Sequence, residues 1–265
     1  MKKILVLALA LALLLSVVSA LADSAYISSG IGKGSTVLFG SYEQDGNRSN
    51  GAEPIEWIVL DTDGSHALLI TSYGLEAKAF NEKDASVIWT ECSLRKWLNG
   101  AFLESAFTPA ERELIEESFS EADMNPGYEY GNSSGSCWDY AFILSATQAN
   151  LYFKGMENVK SCYPTTAAKQ NGAFVNRDNG SCCWWLRTPG SRSNYACSVS
   201  SNATNYVNYV GNDVRDRDNC VRPAIWVKLD VLSESTSTDV TVQSTPEPSG
   251  ESSSDGVYVS PYGRR

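Results

Sequence analysis

The chain has 265 residues, 43% apolar and 20% charged, a balance that excludes a mainly disordered, collagenous or polytopic membrane protein. Acids outnumber bases 31 to 21, and no stretch concentrates Lys and Arg, which argues against a nucleic-acid partner. A single His removes most histidine-based catalytic constellations.

Residues 1–22 read as a secretory signal peptide. Lys2 and Lys3 precede an apolar run from Ile4 to Leu15, and Ala20-Leu21-Ala22 offers small residues for cleavage. A membrane anchor is the alternative, since the apolar stretch approaches the roughly 20 residues of a spanning helix. The Ala-x-Ala ending favours cleavage, so no membrane span and a secreted or cell-surface location are expected. Residues 23–34 form a linker, 35–231 one folded domain, and 232–265 a disordered Ser-, Thr- and Pro-rich tail that lacks the apolar content to offset its ordering entropy.

Within the domain, residues 35–42 and 55–61 are β-rich, and Asp63-Gly64 turns the chain into a third strand over 66–72, a hairpin pattern. His66 sits beside that turn with no nucleophile or ligand near it in sequence, the setting of an ordinary strand histidine. Leu94, Trp97 and Leu98 share one helical face, with Asn99-Gly100 as the predicted stop. Thr108-Pro109-Ala110-Glu111 combines a capping box with Pro at the first helical position. Residues 125–136 form a Gly-, Asn- and Ser-rich loop, and Tyr140 to Leu144 a buried strand. Ser145 to Gln148 is a second capping box, leading to Leu151 and Phe153. Residues 183–187 return to strand, Pro189-Gly190 is a turn, and Pro223 inside the run 221–229 must occupy a strand start, edge or bulge. Strands, then helices, then strands imply a single α+β domain of short helices and antiparallel strands.

Seven cysteines (Cys92, Cys137, Cys162, Cys182, Cys183, Cys197 and Cys220) leave at least one unpaired. No Cys-x-x-Cys spacing supports zinc, and adjacent Cys182 and Cys183 cannot bridge each other without strain. They read as small core residues or optional cross-links. No cofactor, metal or catalytic constellation is expected.

Residues 191–220 have an unusual alphabet: six Asn, five Ser, three each of Tyr, Asp and Arg, and no Lys, Glu, Gln, Met or Trp. Tyr supplies rigid contact area, Asn and Ser adaptable hydrogen bonds, and Arg and Asp directional charge, the mixture of a recognition surface. Ala196, Val199, Ala203, Val207, Val210 and Val214 are expected to point inward. The ligand face is then Asn194, Tyr195, Asn202, Tyr206, Asn208, Tyr209, Asn212, Asp213, Arg215, Asp216 and Arg217. All the polar types present are reachable from an Asn codon by changing only its adenines. The competing explanation is that turn-rich surface ribbons favour Asn, Ser, Asp and Tyr in any case.

Phe39-Gly40-Ser41-Tyr42, the run from Pro54 to Leu60, Ser93 to Asn99, Trp184 to Gly190 and Val221 to Trp226 recur in order and resemble a bacterial secreted family, domain of unknown function 6273. Its Trp-Trp-Leu-Arg and Val-Arg-Pro blocks resemble the C-type-lectin-like fold, shared by formylglycine-generating enzymes and by the variable proteins of diversity-generating retroelements. In those variable proteins an Asn-codon-rich segment before the final strand forms the ligand face, the place that 191–220 occupies here. The resemblance implies a recognition module for a protein or glycan, with Trp184, Trp185, Arg187, Arg222 and Trp226 as scaffold. Two alternatives belong to other classes. A cysteine-dependent formylglycine-generating type of enzyme would draw on Cys182, Cys183, Cys197 and Cys220, without the motifs of that group around them. A calcium lectin would draw on Asp213, Asp216 and Asp218, without the acidic-amide tripeptides of such lectins.

Overall fold

A computed structural model describes residues 30–128, 133–202, 206–229 and 232. The expected signal peptide, most of the expected linker and all but one residue of the expected tail lie outside the described residues. Ile31 of the expected linker and Leu232 of the expected tail are both buried against the core, so the packed unit runs past each expected boundary.

The chain opens with β1 (Thr36–Tyr42), β2 (Glu53–Thr62) and β3 (His66–Thr71), an antiparallel meander. The turn between β2 and β3 holds Gly64 at φ +93°, and the Asp63 carboxylate accepts from the Ser65 and His66 backbone N–H groups at 2.9 and 2.7 Å. The His66 ring faces Asp63 and Glu116, and its Nδ1 lies 3.1 Å from the hydroxyl of the adjacent Ser65, which itself donates to Asp63. A short β4 (Glu76–Ala77) follows.

Helix α1 (Ser93–Trp97) begins at the Cys92 cap but does not stop at Asn99-Gly100. It passes through a π-helical stretch (Leu98–Phe102) into α2 (Leu103–Ala106). The Asn99 side chain explains the difference. It donates to the carbonyls of Arg95 and Ala141 and accepts from the N–H groups of Tyr140 and Ala141, so it ties the helix to a neighbouring strand instead of ending it. The Thr108 capping box starts α3 (Pro109–Arg112), and the chain continues as β5 (Ile115–Glu116) and β6 (Ser118–Ser120).

β6 pairs with β7 (Cys137–Asp139) in a separate two-stranded ribbon. The expected strand over 140–144 shrinks to β8 (Ala141–Phe142), because Tyr140 is exposed and Ile143 and Leu144 are buried beyond the last paired residue. The second capping box starts α4 (Ala146–Tyr152), where Leu151 turns outward and Phe153 inward. Two further short helices, α5 (Glu157–Lys160) and α6 (Thr166–Gln170), precede β9 (Trp184–Pro189), β10 (Tyr195–Val199) and β11 (Val207–Asp213).

Pro223 divides the last predicted strand into β12 (Cys220–Val221) and β13 (Ala224–Lys228), which belong to different sheets. β13 lies between β3 on one side and β5 and β8 on the other, completing the order β1-β2-β3-β13-β5. β12 lies between β9 and β4 in the second sheet, β11-β10-β9-β12-β4. Arg222, fully buried at the crossing, donates to the Thr71 and Val159 carbonyls at 2.7 and 2.9 Å, and its guanidinium lies over the rings of Phe153 and Trp184. Trp184 is buried against it, Trp185 is buried against Phe80, and Trp226 is only half-buried. The result is a mixed α+β domain of short helices and mainly antiparallel strands.

Candidate functional site

The unusual window folds onto the second sheet. All of β9 is buried, β10 runs between β9 and β11, and β11 is the sheet edge. Opposite Cys197 the ladder slips: Ala196 pairs with Asn212 and Ser198 with Asn208, leaving Tyr209, Val210 and Gly211 as a bulge. Gly211 has φ +78°, and a Cβ there would lie 2.5 Å from the Ala196 carbonyl oxygen, so the bulge requires glycine.

Val210 is the exception among the residues expected inward. Ala196, Val199, Val207 and Val214 are buried, but Val210, three positions after Val207 and within the bulge, is 51% exposed. Ala203 falls outside the described residues.

None of the eleven predicted face residues is buried, and they fall into separate groups instead of one patch. Tyr206, Asn208 and Tyr209 line an open cavity of about 690 Å³ together with Val210, Tyr128, Asn150 and Lys160. At the other end of the β10–β11 ladder, Asp213 accepts two 3.0 Å hydrogen bonds from Arg215, which hold its carboxyl below the usual range. Arg215 also reaches Asp84 at 3.3 Å, Asn194 donates to the same Asp84, and Arg217 pairs with Glu82. Tyr195 lies under the Arg192 guanidinium. Asp216 is half-buried, and burial together with Asp218 raises its carboxyl pKa. Asn202 sits in the turn between the strands, where its N–H donates to Ser200.

Several of these side chains are committed internally. Ser198 Oγ and Asn208 Nδ2 both donate to Asn212 Oδ1, and Asn208 Oδ1 accepts from the Gly211 N–H, closing the bulge. The Tyr209 hydroxyl accepts from Asn150 at 2.7 Å, and the ring packs partly on the core. Tyr206, at 50% exposed, is the aromatic of this group that most faces solvent.

The sequence gives no signal for the residues that hold this edge from outside. Asn125, in the Gly- and Ser-rich loop, is 3% exposed. It donates to the carbonyls of Pro189 and Tyr209 and so clamps β9 to the bulge. Asp123 accepts from Thr147 and Thr188, and Arg187 donates to Gln148 and to the carbonyls of Ile143 and Glu121. Loop polarity here is structural, which composition cannot distinguish from recognition.

The aspartates and cysteines of the alternative readings have other surroundings. Among the described residues, the only group of three whose ligand atoms converge is Glu43, Asp45 and Glu53; Asp213, Asp216 and Asp218 do not converge. All seven cysteines are free, with buried Cys182 lying against both Cys162 and Cys220 in the interior. Burial pushes the Cys197 thiol up to about 12 and lifts Cys162 and Cys182 well above the ordinary range, the opposite of an activated nucleophile.

A family profile described as Domain of unknown function (DUF6273) matches residues 64–229. The chain belongs to this family. No curated protein and no solved structure matches it. The DUF6273 span begins after β1 and β2, so the resemblance seen in Phe39 to Leu60 lies outside it, although both strands pair into the same sheet as β3 and β13. Within the span, Arg95, Asn99, Trp184, Trp185, Arg187 and Arg222 all serve internal contacts.

Proposed function

We propose that this DUF6273 chain is a secreted or surface-associated recognition module, with a C-type-lectin-like domain whose ligand face is built on residues 191–220. The observation that carries the reading is the edge strand itself. Its inward positions are closed by packing and by the Asn125 clamp, while Tyr206, Asn208 and Val210 open onto a cavity of about 690 Å³. An exposed aromatic ring before the bulge and an exposed apolar side chain on it, lining one cavity with the Asn208 amide, suit a protein or glycan surface. Diversification of the segment by a retroelement is part of the proposal. Asn208, Gly211 and Asn212 close the bulge, which leaves Tyr206 and Val210 as the freest positions to vary.

Printed glycans and peptides, probed with the labelled full chain and with a Tyr206→Ser/Val210→Ser variant, test the site. Features bound by the wild type should weaken about tenfold in the variant, with an unchanged melting temperature. An unchanged pattern, or a wild type that binds no feature, overturns the proposal. A neighbouring reverse-transcriptase gene with a near-copy of codons 191–220 differing at adenines would support diversification; its absence across related isolates would remove that part alone.

A further inference from the structure

The β6–β7 ribbon carries an aromatic face that no other described element covers. Phe119 and Trp138 stand directly opposite each other, their ring centroids 5.2 Å apart, and they are 50% and 58% exposed. Tyr140, which follows the end of β7, is 42% exposed. The ribbon cannot roll to hide these rings, because its other side is sealed. Asp139 is buried and accepts from Arg95, Trp89 and Asn99, while Ser120 is buried beside it. Two large rings held rigidly in water are a feature of interaction surfaces.

The charge beside the rings says what kind of partner fits. Tyr140 also lines a cavity of about 670 Å³ whose walls carry Glu104, Glu113, Glu116 and Glu117 against one base, Arg112. Glu116 is shared with His66 at 3.9 Å; the other three glutamates make no ion pair among the described residues. The surface therefore sets the Tyr140 ring on a wall of excess negative charge, with the exposed Phe119–Trp138 pair on the adjoining ribbon, which suits a peptide whose several cationic side chains meet carboxylates at one end and aromatic faces at the other. Two copies meeting here would oppose their glutamates, which disfavours self-association. Among the described strands β6 pairs with β7 alone, so an extended backbone can lie along its other edge.

We infer that this face binds an extended peptide rich in Lys or Arg, independently of residues 191–220. The probe is a short fluorescein-labelled peptide of alternating Lys and Thr, with a Glu–Thr peptide as control, titrated with the full chain by fluorescence anisotropy. The Lys peptide should bind and the Glu peptide should not, and the interaction should weaken as salt shortens the screening length. Trp138→Ala should lower affinity about tenfold. Glu113→Gln/Glu117→Gln leaves the aromatic pair and ribbon contacts in place and should have a similar effect, so a folding defect at Trp138 cannot imitate the result. Tyr206→Ser should leave binding unchanged, which separates this face from the one proposed above. Equal binding of both peptides, affinity indifferent to Trp138 and the glutamates, retention of neutral glycans alone, or a Trp138-dependent dimer in sedimentation would each overturn the inference.

Discussion

Replacing Asp139 by Ala tests whether the aromatic ribbon is anchored as described. The Asp139 side chain is fully buried and receives Arg95 Nε at 2.6 Å, Trp89 Nε1 at 2.9 Å, Asn99 Nδ2 at 3.1 Å and the Cys137 thiol at 3.3 Å. Ala leaves the buried Trp89 N–H without an acceptor, at about 1–3 kcal/mol. It also strands the Arg95 cation; breaking a buried pair costs about 3–5 kcal/mol, discounted because the Arg95 side chain is 23% exposed and water can reach it. Together the loss should be about 4 kcal/mol, or roughly 8–16 °C in melting temperature for a domain of this size. Asp139→Asn keeps an acceptor oxygen and should lose about half as much. Urea and thermal unfolding followed by circular dichroism measure both. A loss below about 1 kcal/mol for Ala, or equal losses for Ala and Asn, would refute the anchoring argument.

Gly211→Ala should destabilise by about 2–4 kcal/mol in urea unfolding, since the new Cβ meets the Ala196 carbonyl at 2.5 Å and the backbone has φ +78°. In native thiol labelling only Cys137 and Cys183 should react, the other five being buried. The Cys137 rate should climb steeply toward pH 11, because burial and then the Asp139 carboxylate raise its pKa to about 11. Burial, then the Glu76 carboxylate that accepts its proton, raises the Tyr42 phenol above its ordinary 10. Below pH 10 the phenol is neutral in both states; above it the unfolded chain ionises first, so stability should fall with rising pH, and Tyr42→Phe should flatten that slope in alkaline melting curves.

The elements legible in the sequence were those whose signals are local. Both capping boxes open helices where Thr108 and Ser145 place them, and Asp63-Gly64 makes the hairpin, because each depends on a few adjacent residues. The misjudged features depend on distant partners. Asn99-Gly100 looks like a helix stop until Asn99 is seen bonded to Ala141, 42 positions away. Val210 looks like a core valine by residue type, but its register against β10 leaves it outside the paired positions and 51% exposed. For the candidate face, composition separated polar from apolar, but it could not show that Asn208 and Asn212 are tied to each other while Tyr206 is open to solvent. The Phe119–Trp138 pair was equally hidden, since the two rings are 19 positions apart and each alone resembles a core residue.

The crossing at Arg222-Pro223 has a consequence for biosynthesis. Every strand flanking β12 and β13 emerges from the ribosome before they do. Until about residue 228 has been made, β3 lacks its inner neighbour and β4 has nothing to join it to β9, so neither layer can close during elongation. A nascent chain in that condition exposes unpaired strand edges, and its long-range pairings wait until the chain is almost complete, which leaves it open to aggregation in the interval. Completion of one short segment then supplies the missing neighbour in both sheets.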